Sequence, residues 1–336
     1  MREYVINLND AGQRLDKFIL KTIKGIPVSL MYKAIRLKKI KVNRKRAEQR
    51  QILCEGDTVQ VFLSEDLFAE KITDNELLTI TPNLKIVYED ENIILCDKPA
   101  GVLVHSGDGD GKTSGTGAID ERNTLIYHIQ AYLAQKGEYN PSAENSFAPA
   151  LCNRIDRNTG GIVIAAKNAI ALRDINARIR ENKISKLYLC AVHGFLPKKE
   201  DTLTGYLLKN SKTNTVSVFK EYRNGAKEII TKYKSLEYNQ QEDISLLEVE
   251  LLTGRTHQIR AHMASIGHAL LGDGKYGFID VDKKRGYKHQ ALYSYKLVFL
   301  TCDDSLSYLN ERVFTVNFKD IYFLREFSSK AFGSKK

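Results

Sequence analysis

Apolar residues recur at helical spacing near the start of the chain and switch to strict alternation shortly afterwards. Leu15, Phe18, Ile19 and Ile23 form one stripe, with Arg14, Lys17, Lys21 and Lys24 on the other faces and Gly25 and Pro27 ending the segment. Ser29 is placed as the N-cap of a second helix, in which Leu30, Met31, Ala34, Ile35 and Leu37 face inward and Lys33, Arg36, Lys38 and Lys39 face out. Ile40 and Val42 then alternate with Lys39 and Lys41, and Val59, Val61 and Leu63 resume the alternation beyond Gly56-Asp57. This pattern predicts a small helical and hairpin module over residues 1–64, and the acidic, polar residues 65–83 read as a linker.

From Leu84 the period of two dominates. Lys85–Tyr88 and Ile93–Cys96 flank a Glu89-Asp90-Glu91-Asn92 turn, which predicts a hairpin. Further strands are expected at Ile162–Ala166, Tyr188–Val192, Gly205–Leu208, Thr215–Phe219, Glu228–Tyr233 and Ile244–Leu252. Helical stripes appear at Leu125, Ile129, Tyr132 and Leu133, at Leu172, Ile175 and Ile179 within 169–182, and over 256–266, where Thr256 is the expected cap. Consecutive strands with short connections favour an α+β fold, with a mixed, largely antiparallel sheet flanked by helices over 84–325 and a basic tail over 326–336.

Charge adds a partner to this picture. The formal net charge of the 336 residues is +10, and residues 1–65 hold 14 Lys and Arg against 7 Asp and Glu. The N-terminal fifth therefore carries most of the field, as suits phosphate backbones or anionic surfaces. Five widely spaced cysteines without a C-x-x-C pair argue against a disulfide framework or a zinc site. Met1–Asp10 does not read as a secretory leader and no run has the length of a membrane helix, so a cytoplasmic protein is expected. The glycine-rich residues 107–117 contain Gly-Lys-Thr, but the glycine that a phosphate-binding loop needs five residues earlier is Ser106.

Chemistry concentrates in three segments. Asp156 lies between Arg154 and Arg157, ahead of Gly160-Gly161, and cations at that range favour the ionised carboxylate. From this stretch alone a turn-capping aspartate is as good a reading as a catalytic one. Tyr188 begins a strand, a position that by itself suits core packing. His257 and Arg260, after Gly254-Arg255, share a helix face, and the spacing of His257 and His262 with no intervening Glu does not suit a metal pair.

Two resemblances join these segments. RLDKFI at 14–19, KIKVN at 39–43 and EGDTVQVF at 55–62 resemble an S4 RNA-binding domain, although Arg44 follows Asn43 where that family usually has glycine. YEDENIILCDKPAGVLVH at 88–105, RIDRNTGG at 154–161, KLYLCAVHG at 186–194, LLTGRTHQIRAHMASIGHALLGD at 251–273 and QALYSYKLVF at 290–299 together resemble the RluA-type pseudouridine synthases. Asn153, Gly160 and Tyr293-Ser294 depart from that family's usual residues.

The resemblance implies that Asp156 is the essential catalytic acid, that Tyr188 stacks on the target base, and that Arg260 pairs with Asp156. It also implies that Arg14, Lys17, Lys33, Arg36, Lys38, Lys39, Lys41, Arg154, Arg157 and Arg255 meet RNA. The implied partner is RNA, foremost large-subunit ribosomal RNA, with no cofactor, no metal and no obligate protein partner. A transfer RNA substrate, a non-catalytic S4-type binding factor and a uracil-releasing hydrolase are the readings left open.

Overall fold

The computed structural model describes residues 1–68, 74–105, 121–210 and 213–328; the glycine-rich stretch 107–117 and most of the basic tail lie outside these. The N-terminal module runs β1 (Arg2–Val5), α1 (Leu15–Thr22), α2 (Val28–Arg36), β2 (Ile40–Val42), β3 (Lys45–Arg46) and β4 (Thr58–Val61), with sheet order β1-β4-β2-β3. The two apolar stripes bury Phe18, Ile19, Met31 and Ile35 against Ile40, Val59 and Val61. Pro27, not Ser29, marks the start of α2: its φ of −59° suits a helix entrance, and Ser29 lies inside the helix.

The turn between β2 and β3 has two left-handed residues, Asn43 at φ 50° and Arg44 at φ 63°. That is the backbone a two-residue hairpin turn demands. Asn43 suits it and is tied down, donating to Asp57 Oδ1 at 2.7 Å and accepting from Thr58 N at 2.9 Å. Arg44 is held there at a conformational cost of about 1–2 kcal/mol. Arg44→Gly is therefore expected to raise stability by about 1 kcal/mol in urea unfolding while removing one exposed cation from the hairpin.

The module is docked on the second domain through short polar side chains. Asp10, fully buried, accepts from Ser146 Oγ at 2.6 Å, Ser146 N at 3.1 Å and Asn145 Nδ2 at 2.7 Å. Asn9 bridges Glu144 and the Ala169 amide, and Arg173 donates to the Ala11 carbonyl at 2.9 Å. Among the residues read as a linker, α3 (Asp74–Leu78) is ordered structure, and its Leu77 is buried against Tyr127 and Ala131.

The second domain contains β5 (Ile86–Glu89), β6 (Ile93–Lys98), α4 (Leu125–Gln135), β7 (Ala150–Leu151), β8 (Gly160–Ala166), α5 (Ala169–Arg180), β9 (Ile184–His193), β10 (Glu200–Asn210), β11 (Thr215–Phe219), β12 (Lys227–Asn239), β13 (Ile244–Leu251), α6 (Gln258–Ser265), α7 (Ile279–Lys284), β14 (Leu292–Phe299) and β15 (Val313–Thr315). The sheet order is β11-β10-β12-β13-β9-β14-β8-β6-β5, with β7 on β8 and β15 on β14. The described pairings are antiparallel except β14 with β8, where Tyr293 lies opposite Gly160 and Ser294 opposite Gly161. This is the mixed, largely antiparallel sheet expected.

Every residue of β8 is buried because both faces of the sheet are covered. Ile162 and Ile164 face a core shared with α5 and the C-terminal Ile321 and Phe323, while Val163 and Ala165 face one shared with α4 and α6. Tyr188 belongs to the second face.

Candidate active site

The loop that carries Asp156 is braced from four directions. Asn153 Oδ1 accepts the Ile164 amide at 2.7 Å, so the side chain ties the start of the loop to β8. The Arg157 carbonyl accepts from Lys98 Nζ at 3.0 Å and from Gly101 N at 2.8 Å. Arg157 returns its own Nε to the Gly101 carbonyl at 2.9 Å, and Gln290 holds Thr159 at 3.0 Å in the interior. Lys98 is fully buried, and its other two bonds go to the Pro99 and Val102 carbonyls, both at 2.9 Å. Burial lowers its ammonium toward about 7, and the Asp156 carboxylate opposes that.

Glycines then set the loop against β14. A Cβ on Gly160 would lie 2.4 Å from Tyr293 Cε2, and one on Gly161, at φ 116°, would lie 2.2 Å from the Ser294 carbonyl oxygen. The departures at 160 and 293 are thus one feature, a tyrosine ring occupying the space that a side chain at 160 would need. The ring is fixed by its hydroxyl, which donates to buried Asp97 at 2.7 Å. Gly160→Ser is expected to cost about 1–3 kcal/mol by overpacking. Combined with Tyr293→His, the two losses should fall short of additivity by at least about 1 kcal/mol in a denaturant double-mutant cycle.

Asp156 itself stays accessible, with 26% of its side chain exposed. Its described cation is Arg260, which donates from Nη1 to Oδ2 at 2.8 Å. The flanking arginines read as holding the carboxylate are both exposed, and Arg157 directs its Nε to Gly101. Arg260 is presented by α6 and anchored by Asp273, which accepts from Nε at 2.7 Å and Nη2 at 2.8 Å. Asp273 is fully buried and also accepts the Lys275 and Tyr276 amides. Burial opposes both charges, but each outweighs it for the other: the Asp273 carboxyl is lowered and the Arg260 guanidinium raised.

The start of α6 departs from expectation. His257, not Thr256, is the cap residue, with no side-chain capping bond and a left-handed φ of 54°, a conformation costing about 1–2 kcal/mol outside glycine. Gln258 bolts the helix to β12, donating to the Ile230 carbonyl and Thr231 Oγ1, both at 3.1 Å. Tyr188 lies on β9, opposite Ser294 of β14. Burial raises its phenol to about 12, with Ser294 working against the shift and Asp156 with it, so the hydroxyl keeps its proton at neutral pH.

The structure therefore gathers Asp156, Tyr188 and Arg260 from a loop, a strand and a helix. Arg255 is exposed nearby in sequence, and Lys17, Lys33, Arg36, Lys38 and Lys39 are exposed on the N-terminal module. Arg14 is engaged by Asp16, and half-buried Lys41 lies over Phe62 with Nζ 5.4 Å from the ring centre. Among the described residues no helix is long and apolar enough to cross a membrane.

Residues 92–265 match the family of RNA pseudouridylate synthases. An uncharacterized RNA pseudouridine synthase of Mycoplasma genitalium is 33% identical over 301 residues, which cover 88% of this chain and 88% of the relative. The chain belongs to that family. A ribosomal large subunit pseudouridine synthase C of Vibrio parahaemolyticus is 32% identical over 80% of this chain and 77% of its own length. The fold is shared with the solved structures of human RNA pseudouridylate synthase domain containing 4 and domain containing 1, with TM-scores of 0.53 and 0.51. These are 18% and 19% identical and cover 72% and 74% of this synthase, and 92% and 96% of the human chains.

Four contributors to the site went unassigned from the sequence of this synthase: Lys98, His257, Asp273 and Tyr276. Asp273 carried a faint signal, as the acid closing the segment that contains Arg260. Lys98 carried none, because a lysine beside Pro99 reads as a solvated turn until its three carbonyl partners are seen.

Proposed function

We propose that this synthase isomerises uridine in large-subunit ribosomal RNA, in the cytoplasm, with Asp156 as its catalytic group, Tyr188 against the target base and Arg260 holding both the carboxylate and the flipped nucleotide. The observation that carries the reading is the relay from buried Asp273 through Arg260 to a partly exposed Asp156. A carboxylate oriented by a guanidinium that is itself anchored loses little freedom when it reacts. The ribosomal substrate is supported by the relatives named for large-subunit RNA.

In the reaction the bond from C1′ to uracil N1 breaks, a bond from C1′ to C5 forms, C5 loses its proton and N1 gains one. Nothing is oxidised. Asp156 either attacks C1′ or removes the C2′ proton to leave a glycal, and both require the carboxylate. Because Tyr188 keeps its proton, it serves as a stacking wall and takes part in the C5 proton transfer only as a relay, passing on its own hydroxyl hydrogen as it takes the new one. Uracil is retained, so no second acid is required to expel a leaving group into water.

RNA containing uridine labelled with tritium at C5 tests this. Isomerisation releases tritium without free base; free uracil would mean hydrolysis, and neither product would mean a binding protein. Ribosomal and transfer RNA are compared in the same assay. The exposed cations of α2 and of the turn after it, Lys39 among them, are proposed to hold the RNA backbone as in an S4 domain. Replacing Lys33, Arg36 and Lys39 with Gln should weaken binding across sequences and flatten the slope of log affinity against log salt by about 3, roughly one for each cation. An unchanged slope would remove α2 from the interface.

A further inference from the structure

His257 stands beside Asp156 with a defined proton and no acceptor for it. The Val216 amide donates to the Tyr276 hydroxyl oxygen at 2.8 Å, and the Tyr276 hydroxyl lies 2.9 Å from His257 Nδ1. Among the described residues Nδ1 is the one acceptor within reach of the Tyr276 hydrogen, so that hydrogen is assigned to Nδ1 and the proton of the neutral imidazole to Nε2. Nε2 lies 3.8 Å from Asp156 Oδ2, too far for a hydrogen bond. Among the described residues nothing else accepts from it. The ring is largely buried, packs edge-on to Tyr276 with centroids 5.7 Å apart, and is held by backbone in the left-handed region. Strained backbone that aims one donor at the reacting group marks a residue with a task.

We propose that His257 is a specificity residue of this synthase, its Nε2–H donating to the 2′ oxygen of the flipped nucleotide and so selecting ribose over deoxyribose. This rests on the assignment of Asp156 as the group that acts at the sugar. If Asp156 attacks C1′, the 2′ oxygen is on the adjacent carbon; if it removes the C2′ proton, the oxygen is on that same carbon. In either case a sugar carbon about 3–3.5 Å from Oδ2 brings the 2′ oxygen beside the carboxylate, within reach of the neighbouring imidazole. The ring oxygen O4′ is a poor alternative, because it loses electron density as the glycosidic bond breaks and an N–H aimed at it would oppose the reaction. The 2′ hydroxyl, in contrast, accepts from Nε2 while keeping its own hydrogen to donate. Burial keeps the imidazole neutral, with Arg260 and Lys275 acting in the same direction and Asp156 and Asp273 against it. The donor state is therefore the resting state at neutral pH.

The test is a cycle between enzyme and substrate. An RNA oligonucleotide containing a uridine that the wild-type enzyme isomerises is made twice, with ribose and with 2′-deoxyribose at that nucleotide, and single-turnover tritium release is measured on both. Two variants are compared with wild type: His257→Gly, which suits the left-handed backbone and removes the ring, and Tyr276→Phe, which keeps the ring and removes the hydrogen given to Nδ1. The ribose-over-deoxyribose preference is expected to fall about 10-fold in His257→Gly and about 3-fold in Tyr276→Phe, the range of a single hydrogen bond. Intrinsic differences in reactivity between the two sugars cancel in this comparison. Equal losses on both sugars, with the preference unchanged in a folded variant, would overturn the proposal while leaving the assignment of Asp156 intact. Absence of pseudouridine from wild-type reactions on any RNA would overturn the functional reading and the proposal with it.

Discussion

Asp156→Ala is expected to abolish pseudouridine formation, with a loss of about 10⁴-fold or more in single-turnover rate, while RNA affinity stays within a few fold of wild type. The separation follows from the division of labour in the structure. The exposed cations expected to bind RNA lie on the N-terminal module and at Arg154, Arg157 and Arg255, whereas Asp156 is a carboxylate, and removing it deletes no contact that attracts phosphate. Asp156→Asn keeps the shape of the side chain and can still meet Arg260 through its amide oxygen, yet it lacks the charge to attack C1′ or to take a proton. Both variants should therefore be inactive, and both should melt close to wild type, since a group that is 26% exposed contributes little to the core. Residual turnover within tenfold of wild type in either would mean that another group does the chemistry.

How much of this was legible in the sequence depended on whether neighbours in the chain are neighbours in space. The apolar runs of β8, β9 and β13, the alternation in β10 to β12 and the stripes of α1, α2, α4 and α5 could be read because each reports its own burial, residue by residue. α3, α7, β1 and β15 are too short to show a period, and the pairing of β14 with β8 has no local signature. At the site, Asp156, Tyr188 and Arg260 were named through the resemblance of their segments, while the spacing alone left Asp156 an even choice between turn cap and catalyst. The cation described on Asp156, Arg260, is 104 residues away in the chain, so no local spacing points to that pair. Asn153 and Gly160 looked like local irregularities, and their explanations are equally distant in kind, a backbone amide on β8 and a tyrosine ring on β14.

The same distance between partners makes Arg260 the second position of large effect. Arg260→Leu removes a guanidinium that makes two bonds to fully buried Asp273 and one to Asp156. Breaking a buried pair from one side leaves the other charge uncompensated, and a loss of about 3–5 kcal/mol in stability is expected together with loss of turnover. The pH dependence separates this from a simple packing defect. In the wild type the Asp273 carboxyl is held below its ordinary value, burial opposing and Arg260 outweighing it, so its contribution is present above the unfolded pKa and is lost as pH falls through the folded one. In Arg260→Leu the burial remains and the cation does not, so the Asp273 pKa moves above its unfolded value. The folded state then binds the extra proton, and stability falls as pH rises from about 4 through the raised pKa. Urea unfolding between pH 5 and 8 should thus find Arg260→Leu more stable at the acidic end. Adding Asp273→Asn should remove that slope and recover part of the lost stability without restoring turnover, because Asp156 would still lack its guanidinium. A pH-independent loss in Arg260→Leu would show that Asp273 gains a new partner or water when the arginine is gone, and the relay from Asp273 to Asp156 would no longer account for the stability of the site.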